Sequence, residues 1–186
     1  MTRPRRRCAT ALLVALVGGA CLAEAGDGSR NQAFTVRGHA LTLHLYGTRG
    51  GPTAVVSSGD GGWVHLAPAV AQFLAGQGWF VAGFDSKAYL SSFTSGGRTL
   101  SVSDVPGDYA ALAEHAAQGA PGPPLLMGVS EGAGLSVLAA TAPEVQRRIA
   151  GVVAIGLPEV TTPHLSHVAP AGNVPGVPFG TKTNTL

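Results

Sequence analysis

The stretch Gly128-Val129-Ser130-Glu131-Gly132 decides how the rest of this 186-residue chain is interpreted. It follows the short apolar run PLLM at 124–127 and leads into the small-residue segment GAGLSVLAA at 132–140. A Gly-x-Ser-x-Gly sequence between a strand and a helix is typical of a nucleophile elbow, in which glycines let the two elements approach closely. The pattern therefore predicts a strand, a sharp turn and a helix, with Ser130 as the candidate nucleophile.

Three other apolar runs predict the neighbouring strands. Residues 53–57 (TAVVS), 79–84 (WFVAGF) and 151–157 (GVVAIGL) show little polar alternation, as is typical of strands buried on both faces of a parallel sheet. Residues 34–37 and 41–46 instead alternate apolar and polar side chains about a Gly-His turn, which predicts an antiparallel hairpin. His44 falls on the polar phase of this hairpin and is expected to face solvent.

Two helices are predicted between these strands, separated by a polar stretch, Ser91 to Ser103, that is expected to be a loop. The first helix runs from about His65 to Ala75, and the second from Asp104, the expected N-cap, to about Ala117. The predicted apolar faces are Leu66, Val70, Phe73 and Leu74 in the first helix, and Val105, Tyr109, Leu112 and Ala116 in the second.

Strands that alternate with helices predict an α/β fold with a mostly parallel sheet covered on both faces. The elbow makes this sheet α/β-hydrolase-like. We place the domain at residues 30–157 and a Pro/Gly/Thr-rich tail, irregular or disordered, at 158–186. A complete hydrolase sheet carries two more strands after this point, so the C-terminal strands are expected to be missing or degenerate.

The first 25 residues are interpreted as an export signal rather than as part of the fold, with an uncleaved anchor as the alternative. Four arginines precede the apolar run 9–22, which is short for a membrane span, and Ala23-Glu24-Ala25 supplies a cleavage site. Cys21 follows Gly-Gly-Ala without the leucine of a lipobox, so cleavage is preferred over lipid attachment at Cys21. The expected location is the periplasm, with no transmembrane helix in the mature chain.

Composition excludes several classes of function. Removing the signal takes away four arginines and one glutamate, which changes the formal net charge from +2 to −1, so no basic surface argues for a nucleic-acid partner. Both cysteines lie within the signal, and His164-x-x-His167 has no carboxylate nearby except Glu159. No metal site and no cofactor are predicted.

Acyl transfer at Ser130 also needs donors for the developing oxyanion, and a base. The backbone N–H of Glu131 is one candidate donor, and the N–H of Asp60 or Gly61 in the glycine-rich loop is the other. The Asp60 carboxylate would repel an oxyanion, so it is expected to cap the next helix or to bind a cationic group. Glu159 and His164 are the candidate acid and base, with His167 as an alternative, although a turn or an exposed tail would explain each of these stretches without catalysis.

Three blocks of sequence resemble a known family: Ser58 to Trp63 (SGDGGW), Gly83 to Ser86 with Tyr89, and the elbow. Together they resemble the VirJ/AcvB family of exported bacterial virulence proteins. The resemblance implies an α/β-hydrolase-type domain, a periplasmic role linked to virulence or type IV secretion and, for some members, esterase action on aminoacylated phospholipid. It also implies that Ser130 is the nucleophile and that Asp60 and Asp85 are motif residues of undefined role.

Two functions follow as hypotheses. The first is an exported serine esterase that acts on a small-molecule or lipid ester. The second is a non-catalytic periplasmic protein that keeps the scaffold and binds secretion-system or envelope proteins.

Overall fold

The computed structural model describes residues 29–94, 100–157 and 168–169. Its strands are β1 (Arg30–Val36), β2 (His39–Tyr46), β3 (Thr53–Ser57), β4 (Phe80–Phe84), β5 (Leu100–Ser101), β6 (Leu125–Val129), β7 (Gly151–Ile155) and β8 (Val168–Ala169). Six of them form one sheet in the order β1-β2-β4-β3-β6-β7, while β5 and β8 form a separate parallel ladder.

The sheet is parallel from β4 to β7 and antiparallel at its β1–β2–β4 end. This confirms the predicted hairpin and the predicted parallel sheet. The expectation that residues 151–157 are buried on both faces is wrong, because β7 lies at the edge of the described sheet and its Val153 is 37% exposed. The hairpin turns at Arg37 and Gly38, whose φ angles are both positive, at 45° and 84°. A two-residue turn of this kind matches the twist of the strands that it joins.

The helices are α1 (Leu66–Gly76), α2 (Ser86–Thr94), α3 (Asp104–Ala116), α4 (Glu131–Ala139) and α5 (Pro143–Gln146). One face of the sheet packs on α1, and the opposite face packs on the apolar side chains of α2, α3, α4 and α5. The fold is therefore the three-layered, α/β-hydrolase-like arrangement that the sequence predicts.

The predicted apolar face of α1 is wrong in part. Leu66 and Phe73 are 48% and 67% exposed, whereas the buried residues are Ala67 and Ala71. These small side chains let the helix approach β3 and β4 closely, so the larger ones at 66 and 73 lie outside the contact. The predicted stripe of α3 is confirmed, since all four of its residues are buried.

The loop predicted from Ser91 to Ser103 is also wrong in part, because α2 continues through Thr94 and β5 pairs within that stretch. Tyr89, Leu90 and Phe93 form a buried stripe on α2 that offsets its polar composition.

The predicted N-cap of α3 is shifted by one residue. Ser103 occupies the N-cap of α3, and Asp104 instead accepts a hydrogen bond from the N–H of Ser101 at 3.0 Å.

A charged network fixes the hairpin turn to the helices. The Arg37 guanidinium donates to Asp108 through Nε at 2.9 Å and Nη2 at 2.8 Å, and through Nη1 to Asp104 at 3.1 Å. Tyr89 donates its hydroxyl to the same Asp108 carboxylate at 2.6 Å, and Phe93 lies under the guanidinium at 3.9 Å. This network joins the β1–β2 turn to α2 and α3.

In the part of the chain that the structure describes, no helix has the length and apolar content needed to cross a bilayer. The predicted signal, residues 1–25, lies outside the described residues. So does the predicted tail, apart from β8, and with it the expectation about the C-terminal strands.

Candidate active site

Ser130 lies at the junction of β6 and α4 in a backbone conformation that L-residues rarely adopt. Its φ is 51° and its ψ is −117°, and it occupies the N-cap position of α4. A residue held in this sparsely populated region costs about 1–3 kcal/mol and persists only where the surroundings enforce it. The strand, sharp turn and helix that the sequence predicts are therefore present at this position.

Two glycines of the motif make the turn sterically feasible. A Cβ on Gly128 would overlap the carbonyl oxygen of Gly132 and the backbone of Ala133, and one on Gly132 would overlap the carbonyl oxygens of Ser57 and Ser58. The N–H of Ser130 donates to the carbonyl of Ile155 in β7 at 2.8 Å, which ties the elbow to the sheet. The backbone of α4 therefore lies in direct contact with the backbones of β6 and of the end of β3, with no room for a side chain at Gly128 or Gly132.

The backbone strain at Ser130 gives a stability prediction. Ser130→Gly is expected to be more stable than Ser130→Ala by about 1 kcal/mol, because both remove the hydroxyl but only glycine tolerates positive φ without strain. Urea unfolding of the two variants measures the difference. An alanine variant as stable as the glycine variant would show that the turn is relaxed in solution.

The glycine-rich loop after β3 approaches the elbow at Gly59. A Cβ built on Gly59 would lie 3.3 Å from Ser130 Cβ and 3.9 Å from Ser130 Oγ. The loop then turns back on itself, with the N–H of Gly62 donating to the carbonyl of Gly59 at 3.0 Å. Asp60 and Gly61 are exposed at the tip of this turn, and the helix that follows has His65, not Asp60, at its N-cap.

Asp85 connects this loop to the next helix. One carboxylate oxygen accepts the N–H of Ala88 at 3.0 Å in the first turn of α2, and the other accepts the N–H of Trp63 at 3.3 Å. Ser58 makes a second connection, because its hydroxyl accepts the N–H of Ser86 at 3.0 Å. Asp85 and Ser58 thus hold the carboxyl ends of β3 and β4 together.

His44 does not face solvent as predicted. Its ring stacks on the indole of Trp63 with centroids 4.9 Å apart and planes 3° apart, and it is partly buried. Gly83, which lies opposite His44 in the register of β2 and β4, leaves the space that the indole fills. The Trp63 N–H donates to the hydroxyl of Tyr46 at 3.3 Å.

This environment predicts a pH effect. Burial lowers the pKa of His44 below its ordinary value of 6.5, although the Asp85 carboxylate offsets part of the decrease. The unfolded chain therefore takes up a proton near pH 6.5 that the folded protein resists, so this stability contribution is present above pH 6.5 and is lost as the pH falls towards the folded pKa. Trp63 fluorescence should change with a midpoint below pH 6.5 in the wild type and not in His44→Phe. A midpoint at or above 6.5 would contradict the prediction.

Comparison with known proteins gives the chain a family. Residues 52–163, more than half of the sequence, match the family described as "Bacterial virulence protein (VirJ)". The chain belongs to the VirJ family. No curated protein sequence matches it.

Solved structures similar to this VirJ-family chain are α/β-hydrolases. The α/β-hydrolase GrgF from Penicillium sp. sh18 has a TM-score of 0.54 at 16% identity, covering 67% of this chain and 44% of its own. The epoxide hydrolase VrEH1 from Vigna radiata has a TM-score of 0.54 at 16% identity, covering 72% of this chain and 42% of its own. Brefeldin A esterase has a TM-score of 0.50 at 22% identity, covering 67% of this chain and 38% of its own. These likenesses establish the fold alone, and the chain matches less than half of the length of each structure.

The three sequence blocks that resemble the VirJ family meet in the fold. The first and second blocks are joined by the hydrogen bonds of Ser58 and Asp85, and the first touches the elbow through Gly59. The residues that carry the resemblance therefore form one assembly at the carboxyl ends of β3, β4 and β6. The approach of Gly59 to Ser130 could not be predicted from the sequence, because it depends on the geometry of the turn from Gly59 to Gly62.

The acid and base assigned to this VirJ-family site stay predictions, as do the oxyanion donors. Glu159 and His164 lie outside the described residues, and so does His167. Glu131 is the first residue of α4, so its N–H lies in the N-terminal turn beside Ser130, where a helix favours negative charge. Within residues 29–94 and 100–157, no three His, Cys, Asp or Glu side chains cluster closely enough to hold a metal ion.

The four histidines of the described part have other surroundings. His39 packs on Phe93 at 4.4 Å between ring centroids, and His115 packs on Phe34 at 5.2 Å. His44 stacks on Trp63, and His65 is exposed at the N-cap of α1. None of these contacts pairs a histidine with Ser130.

Proposed function

We propose that this chain is a serine hydrolase of the esterase type, with Ser130 as the nucleophile. The observation that carries the proposal is the strained conformation of Ser130, with α4 beginning at the next residue and the Gly59 backbone against its side chain. Strain maintained at one half-buried serine, at the carboxyl end of a strand, is expected where that hydroxyl must reach a substrate. The VirJ family and the hydrolase fold agree with this chemistry.

The proposed reaction is acyl transfer through a covalent intermediate. Ser130 Oγ forms a bond to the ester carbonyl carbon as its proton passes to the base, and the tetrahedral oxyanion accepts N–H bonds from Glu131 and from the loop at Asp60 or Gly61. The alcohol then leaves with a proton, and water hydrolyses the acyl-enzyme to the free acid. Glu159 and His164 remain the proposed acid and base.

We further propose an exported protein that acts in the periplasm on a small-molecule or aminoacyl-lipid ester, in a role linked to virulence or secretion. Support comes from the charged and apolar pattern of residues 1–25 and from the family. The chain is expected to need no cofactor for this reaction, because the nucleophile is a side chain.

A fluorophosphonate probe tests the nucleophile. We expect the probe to label the wild type and to leave Ser130→Ala unlabelled, while Ser103→Ala, which changes an exposed serine outside the site, labels normally. Mass spectrometry of the labelled peptide identifies the modified residue. Absence of labelling in a folded wild-type protein would refute the proposal.

A second candidate is a non-catalytic VirJ-family protein that binds secretion-system or envelope proteins. The surroundings of His39, His44 and His115 favour it, since each of these rings packs on an aromatic side chain and not on Ser130. Co-purification with envelope proteins that is unchanged in Ser130→Ala would support this function. Ester turnover that is lost in Ser130→Ala would exclude it as the sole function.

A further inference from the structure

Tyr109 places its hydroxyl where four elements of the fold converge. It lies in the middle of α3, is fully buried, and donates to Ser57 Oγ at the end of β3 at 3.1 Å. The hydroxyls of Ser136 in α4 and Ser86 in α2 are its next polar neighbours. Burial raises the pKa of Tyr109 to about 12, so the phenol is neutral and has one proton to donate.

This hydroxyl cluster is Ser57, Ser86, Tyr109 and Ser136, and it is not explained by stability alone. All four residues are fully buried. The hydroxyls of Ser86 and Ser136 have no partner in strict hydrogen-bond geometry, although both lie close enough to the Tyr109 hydroxyl to lower its pKa. A buried hydroxyl without a partner costs about 1–3 kcal/mol, and in native proteins such groups call for a specific explanation.

The cluster lies directly beside the nucleophile elbow. Ser57 is paired with Gly128 in the register of β3 and β6, and a Cβ on Gly132 would lie 2.6 Å from the Ser57 carbonyl oxygen. Ser136 is on α4, the helix that begins immediately after Ser130. The Tyr109 hydroxyl therefore lies between β3, which faces Gly132, and α4, which begins directly after the strained serine.

We propose that Tyr109 is a positioning residue for Ser130. Its hydroxyl keeps β3 and α4 at the separation that enforces the positive φ of the serine and aims Oγ away from the sheet. The catalytic consequence rests on the proposed hydrolase function. The structural consequence, a tighter first turn of α4, does not.

Tyr109→Phe tests this with the loss of one oxygen atom and retention of the ring, which meets Phe84 edge-on at 5.7 Å. We expect the maximal rate of fluorophosphonate labelling at saturating probe to fall about tenfold, with the probe concentration for half-saturation unchanged. Tyr89→Phe is the matched control, because it also removes a buried phenol hydrogen bond, at 2.6 Å, but one that ends on Asp108 in α3 and not on the strand end beside the elbow. The control should lose stability and keep the labelling rate.

The double variant Tyr109→Phe/Ser57→Ala separates positioning from simple destabilisation. In Tyr109→Phe the Ser57 hydroxyl has lost the donor that it has in the wild type. Removing that hydroxyl as well should restore much of the thermal stability, because two apolar side chains can replace a hydrogen-bonded pair almost neutrally. It should not restore the labelling rate. Recovery of labelling together with stability would overturn the proposal, as would equal effects of Tyr109→Phe and Tyr89→Phe.

Hydrogen exchange tests the positioning role of Tyr109 independently of the proposed hydrolase function. The amides of residues 131–134 should exchange faster in Tyr109→Phe than in Tyr89→Phe at matched global stability. If the wild type is not labelled, the hydrolase proposal fails while this comparison still decides whether Tyr109 positions the elbow. Equal exchange at the elbow in the two variants would overturn the positioning role.

Discussion

Gly132→Ala is expected to destabilise the protein by at least about 3 kcal/mol. A Cβ at this position would overlap the carbonyl oxygens of Ser57 and Ser58, and these are backbone atoms of a fully buried strand end that cannot rotate away. Relief requires α4 to move off β3, which also takes Ser130 out of its turn. Thermal unfolding should show a midpoint lower by roughly 6 °C or more, and fluorophosphonate labelling should be lost.

Gly134→Ala is the matched control, two residues later in the same helix. A Cβ on Gly134 meets nothing within 4 Å, and alanine is favoured over glycine in a helix by about 0.8–1.0 kcal/mol. This variant should therefore be as stable as the wild type or more so, with normal labelling. A Gly132→Ala protein that matched Gly134→Ala in stability would mean that α4 does not lie on β3 as described.

The elbow and the sheet could be predicted from sequence because their signals are local. The runs at 53–57 and 151–157 are apolar over the length of a strand, and Gly-x-Ser-x-Gly requires small residues at fixed positions. Structure supplied the steric reason: Gly128 and Gly132 each face backbone atoms. Here the composition of a short segment determines its conformation, so no distant residue has to be known.

The errors occurred where a distant residue decides the outcome. The polar sequence after Asp85 forms α2 because Asp85 caps the helix and Tyr89 reaches Asp108 in α3. The burial of His44 depends on Gly83, which is on another strand, and on Trp63, which is in a loop. Likewise, the hydroxyl cluster around Tyr109 joins four elements that are separate in the sequence. Alternation and helical periodicity carry no information about such contacts.

Asp108→Asn is expected to lower the free energy of unfolding by about 3 kcal/mol. Asp108 is 6% exposed and accepts hydrogen bonds from Arg37 and from Tyr89. The asparagine side chain is neutral, and its NH2 group is itself a donor that would face these two donors. Removing one partner of a buried pair leaves the other charge without compensation, whereas the partial exposure of Arg37 keeps the loss at the lower end of the usual range. Urea unfolding measures the loss, which should appear as a lower midpoint with an unchanged slope.

Asp104→Asn is the control for this pair, because it changes the same chemical group against the same arginine in a more exposed position. The Asp104 side chain is 33% exposed and makes one contact with Arg37, at 3.1 Å, so the expected loss is below about 1 kcal/mol. The two substitutions have the same change in net charge, so a difference of about 2 kcal/mol between them reports the buried bonds of Asp108 rather than long-range electrostatics. Equal losses of unfolding free energy in the two variants would show that general charge attraction holds the hairpin turn. The contact of the β1–β2 turn with α2 and α3 would then not depend on Asp108.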